Sequence, residues 1–152
     1  MESKVIAIKA AAASVMAAIT MALGWRGILL VAWLICMVLD YLSGSAAAKK
    51  AGRWESRLAR EGIWHKAGMI LVVLVAVITD CVLMTVCEYM PGIGISWPVM
   101  LFPVVLAWYI VTELGSVLEN AVEMGANVPA WLVKGLKAAG NKINEAVPTE
   151  PQ

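Results

Sequence analysis

The feature that most constrains this chain is an apolar run of twenty residues, Ala67 to Val86, whose only charged side chain is Asp80. A helix of that length is about 30 Å long and spans the hydrocarbon layer of a bilayer. A carboxylate inside such a helix costs about 2.5–3.5 kcal/mol on insertion scales, so it normally faces protein or water rather than lipid. The run therefore predicts a membrane-spanning helix that directs its acidic group toward other polypeptide.

Three further apolar segments complete a predicted transmembrane domain at residues 1–124, and the four segments lie at about 5–23, 28–48, 67–86 and 99–118. Asp40 lies inside the second segment and Glu113 inside the fourth. The chain is 61% hydrophobic and 15% charged, whereas a soluble domain carries roughly 45–50% apolar and about 25% charged residues. The expected fold class is therefore all-α, an integral membrane protein with three to four transmembrane helices.

The role of the first segment stays open. Its uncharged part, Ala10 to Leu23, is about 21 Å long as a helix, which is short for a span. We favour a spanning helix over a helix lying on the membrane surface and over a cleaved signal peptide. The signal-peptide alternative is weakened because no clear small-x-small site closes the segment, Ala22-Leu23-Gly24 being the nearest.

The connections between the segments differ in charge, which predicts orientation. The connection from Cys87 to Pro98 has no Lys or Arg. The connection before the third segment holds Glu55 and Glu61 against six basic residues: Lys49, Lys50, Arg53, Arg57, Arg60 and Lys66. By the positive-inside rule, the basic connection and the C-terminus are cytoplasmic. If the first segment also spans, the N-terminus is inside and Arg26 lies in a tight external turn.

The ends of the segments carry aromatic residues and a turn signal. Trp25, Trp64, Tyr89 and Trp97 lie at predicted membrane interfaces, where amphipathic rings are enriched. Residues 90–94, Met-Pro-Gly-Ile-Gly, predict a turn, so the third and fourth helices are expected to form a hairpin.

Residues 125–152 form a second predicted unit. Gly125 can end the fourth helix, and Pro129 suits the first turn of a new one. From Ala130 to Asn144 the pattern predicts a short amphipathic cytoplasmic helix, suited to the inner leaflet or to a neighbouring subunit. Its apolar residues are Trp131, Leu132, Leu136 and Ile143, and its basic residues are Lys134, Lys137 and Lys142. Residues 147–152 contain two prolines and are expected to be disordered.

Polar side chains recur on one face of two predicted membrane helices. Asp40, Ser43 and Gly44 share a face of the second segment at i, i+3 and i+4, and a similar stripe on the fourth begins with Tyr109. The candidate site residues are Asp40, Ser43, Gly44, Asp80, Glu113, Ser116, Glu119 and Asn120. Helix packing, lining or gating of a water-filled path, and a specific ion site are the three roles open to them.

No motif favours catalysis or a cofactor. His65 is the single histidine and stands beside Lys66 near a predicted interface, where it fits an anchor better than a base. Cys36, Cys81 and Cys87 lack the spacing of a zinc or redox motif and fit apolar filling. We expect no enzyme activity, no metal, no cofactor and no nucleic-acid partner, while the basic connection suits contact with anionic lipid.

Three strings resemble the toxin-secretion/phage-lysis holin family. Residues 24–27, Gly-Trp-Arg-Gly, lead through an apolar run into residues 39–44, Leu-Asp-Tyr-Leu-Ser-Gly, and are similar to the first half of that family. Residues 61–66, Glu-Gly-Ile-Trp-His-Lys, precede the Asp-bearing helix as in the family. Residues 110–121, with Glu-x-x-Ser-x-x-Glu-Asn inside them, resemble its last membrane segment.

This resemblance implies a phage holin of the bacterial (host cell) cytoplasmic membrane. Such a protein forms homo-oligomers that open lesions at a set time and release an endolysin, or in some relatives a toxin, to the cell wall. An antiholin is a possible partner. Two alternatives remain: a small ion or proton channel or transporter subunit that uses the same carboxyls, and an antiholin that regulates lysis timing.

Overall fold

The computed structural model describes residues 2–90, 92, 94, 96, 97 and 101–146, without the side chains of residues 56–59 and 146. These residues form five α-helices: α1 Glu2–Leu23, α2 Trp25–Lys50, α3 Ser56–Tyr89, α4 Leu101–Glu123 and α5 Ala130–Ala146. Helices α1 to α4 are long and apolar enough to cross a membrane, which confirms the all-α membrane fold. Four predictions lie outside the described part of the chain: the fourth segment's start at residues 99 and 100, the turn residues Pro91 and Ile93, the Arg57 side chain and the disordered tail.

The helices extend beyond the apolar segments. Helix α3 begins at Ser56, eleven residues before Ala67, so the basic connection shrinks to residues 51–55. Arg, Lys and Glu are good helix formers, and their charge ends an apolar segment without ending a helix. The expectation that Arg26 lies in the tight turn was wrong, because Gly24 alone, at φ 60°, joins α1 to α2 and Arg26 belongs to the first turn of α2.

Helices α2, α3 and α4 pack as a bundle. Helices α2 and α4 run parallel, since Trp33 stacks on Tyr109 near one end at 5.9 Å between ring centroids and Gly44 approaches Asn120 farther along. Helix α3 runs antiparallel to both, as expected for a hairpin of α3 and α4. The buried residues between the three helices are Trp33, Met37, Met69, Val73, Ala76, Phe102, Leu106 and Tyr109.

The C-terminal ends of α2 and α4 meet at one end of the bundle. The ammonium group of Lys50 donates to the carbonyl of Met124, and Arg53 pairs with Glu123 at 3.0 Å. Gly125 has φ 90° and its N–H bonds to the Val122 carbonyl at 2.9 Å, which confirms it as the residue that stops α4. Basic residues are therefore concentrated at the end of the bundle where α2 and α4 both finish.

Helix α1 lies at the periphery. Among the described helices it contacts α2 alone, and only Ile19 and Thr20 of α1 are half-buried while the rest of the helix is exposed. A Cβ added at Gly27 would lie 2.6 Å from the Ile19 carbonyl oxygen. The glycine therefore permits the close approach of α1 and α2 next to their junction.

Helix α5 folds back along α4. The Trp108 indole N–H donates to Asn144 Oδ1 at 2.9 Å, and a Cβ at Gly140 would lie 3.6 Å from Val111 Cγ1. Leu132, Leu136 and Ile143 are half-buried on the face that Gly140 shares. The apolar face of α5 thus packs on its own chain, whereas Trp131, which we had expected on that face, is 72% exposed.

Candidate functional site

The central polar feature of the bundle is the ammonium group of Lys66, which lies between two carboxylates on different helices. Its Nζ is 3.0 Å from Asp40 Oδ2 of α2 and 2.6 Å from Glu113 Oε2 of α4. The side chains of Lys66 and Glu113 are 13% and 5% exposed. A single lysine on α3 therefore connects all three helices of the bundle through partly buried, charge-assisted hydrogen bonds.

Asn120 extends this cluster toward the end of the bundle where α2 and α4 finish. Its Nδ2 donates to Asp40 Oδ1 at 3.2 Å and to Ser43 Oγ at 3.0 Å, while the Ser43 hydroxyl donates to the Asp40 carbonyl at 3.1 Å. A Cβ at Gly44 would lie 3.4 Å from Asn120 Nδ2, an ordinary van der Waals contact, so Gly44 borders the amide directly. We call Asp40, Ser43, Lys66, Glu113 and Asn120 the Lys66 cluster.

The charge of the Lys66 cluster does not balance when all its groups are ionised, because two carboxylates face one ammonium. An open cavity of about 200 Å³ adjoins the cluster, and Asp40 and Lys66 lie on its wall beside Trp54 and His65. The cavity provides access for water to Asp40, whereas Glu113 lies deeper. The described residues contain no group of three or more His, Cys, Asp or Glu side chains placed to hold a metal ion.

Asp80 forms a second polar site near the other end of the bundle. Its carboxylate accepts hydrogen bonds from the Trp97 indole N–H at 2.8 Å and from the backbone N–H groups of Leu101 and Phe102 at 3.1 and 2.9 Å. The first N–H groups of a helix have no partner within the helix, and an anion is stabilised there. Asp80 of α3 thus caps α4. Trp97, which we had expected at a membrane interface, is half-buried against Asp80.

An apolar layer separates the two polar sites. Along α4, Glu113 and Phe102 are eleven residues apart, which is about 16 Å of helix, and Tyr109 and Leu106 between them are buried. Trp33 and Met37 of α2 close the same layer. The described residues therefore contain no continuous polar path through a single bundle.

The sequence candidates divide into three groups. The structure brings Asp40, Ser43, Gly44, Glu113 and Asn120 together, which are most of the two polar stripes. It places Asp80 apart from them as a helix cap. Ser116 is half-buried and Glu119 is exposed, and neither belongs to the cluster.

Sequence reasoning missed the pairing of Lys66, which we had counted only as a topology-determining residue of the basic connection. The sequence does contain a signal for this pairing. Intervals of three and four residues along α3 separate Lys66, Met69, Val73, Ala76 and Asp80. Such spacing places all five on one helical face. Lys66 and Asp80, the charged residues at the two ends of that face, therefore pack against the same neighbouring helices as the apolar residues between them.

Comparison with known proteins identifies one matching family and several similar proteins. Residues 17–141 match the sequence pattern of the bacteriophage holin family. The chain is similar to an uncharacterized protein of Halalkalibacterium halodurans, with 35% identity over 85% of this chain and 90% of the relative. It is 32% identical to uncharacterized proteins of Clostridium perfringens, over 76% of this chain and 77% of the relative, and of Listeria monocytogenes, over 68% and 66%. No solved structure matches the chain.

Proposed function

This chain belongs to the bacteriophage holin family, and on that basis we propose that it oligomerises in the host cytoplasmic membrane and opens lesions. The lesions release an endolysin, or a toxin, toward the cell wall. Proteins of this family are non-enzymatic multi-pass membrane proteins, in keeping with the four long apolar helices here. The observation that carries the proposal is the family match, which extends over residues 17–141.

The packing of the bundle supports a lesion made between copies rather than through one copy. The side chains of the layer around Leu106 and Trp33 are buried and are aliphatic or aromatic, so they obstruct the passage of water through a single bundle while that layer is packed. An opening wide enough for a folded enzyme therefore requires several copies around a common space. The ion pairs of the Lys66 cluster hold α2, α3 and α4 together as the rigid unit of that assembly.

We propose an orientation with the shared end of α2 and α4 in the cytoplasm. Lys50 and Arg53 lie at that end and contact Met124 and Glu123, and the positive-inside rule favours the cytoplasmic side for such a concentration of basic residues. The Asp80 end of the bundle then faces the outside of the membrane.

The experiment is co-expression in bacteria of this protein with an endolysin that has no export signal. The expected result is abrupt lysis that requires both proteins. Endolysin alone, and this protein with a catalytically inactive endolysin, are the matched controls. In the second control, growth should stop and a cytoplasmic enzyme of endolysin size should appear in the medium without rapid lysis.

Two outcomes would contradict the proposal. Leakage of small ions without release of the enzyme would favour the channel alternative. If this protein has no effect when it is expressed alone, and if it delays lysis when a second holin is present, the antiholin alternative is favoured.

A further inference from the structure

Helix α5 lies beside a membrane-spanning segment rather than beyond its end. Two contacts fix its register, Asn144 with Trp108 and Gly140 with Val111. Trp108 lies fifteen residues before Glu123, the last residue of α4, which corresponds to about 22 Å of helix. Helix α5 therefore covers about two-thirds of the length of α4. Helix α4 is one of the helices long and apolar enough to cross the membrane, and an α5 docked along a spanning α4 would lie at the depth of the hydrocarbon layer.

The outward face of the docked α5 is polar. Lys134, Asn141, Lys142 and Glu145 are all exposed, on the side opposite the half-buried Leu136. The antiparallel register places Lys142 level with Ile110, about 13 Å or more along α4 from either end. Lysine near a helix end can extend its charge to the interface, but a charge at mid-depth requires water or a polar partner.

We propose that α5 remains packed on α4 in the open assembly and that its outward face, defined by Lys134, Asn141, Lys142 and Glu145, lines the aqueous path. This inference rests on the proposed lesion-forming function. The Lys66 cluster does not supply the lining, because its polar groups are bound to one another inside the bundle. If the copies are arranged with α5 toward a common centre, the outward face of α5 contacts water. The apolar faces of α1 and α3 then contact lipid.

A disulfide between α4 and α5 tests whether α5 stays docked. The background variant has Cys36, Cys81 and Cys87 replaced by alanine. The substitutions Val111→Cys and Gly140→Cys are added to it. The sulfur of the cysteine at position 111 would lie near the present position of Val111 Cγ1, which is 3.6 Å from a Cβ at residue 140. The purified protein is reconstituted into vesicles of phosphatidylethanolamine and phosphatidylglycerol that hold an entrapped enzyme. Release is compared before and after reduction, and thiol alkylation measures the fraction cross-linked.

The expected result is that the cross-linked protein releases the enzyme at a rate within twofold of the reduced protein. Loss of release on oxidation, with recovery on reduction, would overturn the inference, because α5 would then have to leave α4 to open the lesion. Absence of release by the unsubstituted chain in the same vesicles would instead refute the proposed function. These two failures are therefore distinguishable.

A second variant keeps the inference testable if the cysteine substitutions disturb folding. Lys134→Leu combined with Lys142→Leu removes both positive charges from the outward face without touching the packed face. We expect release to fall at least tenfold with membrane insertion and helix content unchanged. Lys134→Arg combined with Lys142→Arg, which keeps both positive charges at these exposed positions, is the matched control and should release normally. Normal release by the double variant would contradict a lining role for α5.

Discussion

Removal of the Lys66 ammonium group gives a quantitative test of what holds the bundle together. In Lys66→Met the aliphatic stem and its packing remain, but Glu113 and Asp40, with side chains 5% and 22% exposed, lose their shared positive partner. Removing one partner of a buried ion pair typically costs 3–5 kcal/mol because the other charge is left uncompensated. We expect a loss of about 3–5 kcal/mol, most of it from Glu113, because Asp40 retains Asn120 and adjoins the open cavity.

The assay is unfolding of the purified protein in mixed micelles by titration with sodium dodecyl sulfate, followed by far-ultraviolet circular dichroism. Arg53→Met is the matched control, since it breaks an ion pair with Glu123 whose side chains are 66% and 50% exposed. Exposed pairs contribute about 0–1 kcal/mol. The control should therefore unfold within about 1 kcal/mol of the unsubstituted chain.

A compensated variant separates the charge effect from lost packing. Lys66→Met together with Asp40→Asn and Glu113→Gln leaves no buried charge in the cluster, and a buried amide that lacks a hydrogen-bond partner costs less than an uncompensated buried charge. We expect it to recover all but about 1–2 kcal/mol. If Lys66→Met costs no more than Arg53→Met, or if the compensated variant is as unstable as Lys66→Met, the reasoning about the cluster is wrong.

Two further substitutions probe the ends of the bundle. Asp80→Ala removes the acceptor for the first N–H groups of α4 and should cost about 1–2 kcal/mol, measured by the same titration; unchanged stability would exclude a capping role. Asp80→Asn should shift the onset of lysis in culture, and unchanged timing would leave Asp80 a packing role alone. Gly27→Ala forces a Cβ to 2.6 Å from the Ile19 carbonyl and should cost about 1–3 kcal/mol, whereas Gly62→Ala, with open space around it, should be neutral or slightly stabilising.

The sequence predicted the helices because their signal is local. Four long apolar segments and an amphipathic fifth can be read directly from hydropathy and the helical period, and Gly125 was recognised as a helix stop from the residue type alone. The start of α3 was missed because hydropathy marks where lipid begins rather than where the backbone becomes helical. The residues of the turn between α1 and α2 were also misjudged, since one glycine at positive φ is enough to end a helix.

The polar stripes on α2 and α4 were also readable from spacing, and they do face one another. Periodicity groups residues on one face of one helix, but it does not say which face of another helix they meet. The residues of the stripe on α4 were therefore separated only by the structure, with Glu113 and Asn120 in the cluster and Ser116 half-buried outside it.

What the sequence determined by itself is an all-helical membrane chain with acidic groups inside its spans and basic residues at one end. The tertiary structure alone decided that Lys66 joins Asp40 to Glu113, that Asp80 caps α4, and that α5 returns along α4 instead of lying beyond it. The physical reason is that each of these contacts joins residues far apart in the chain. Their energy depends on how helices are placed in space, which neither composition nor a helical period specifies.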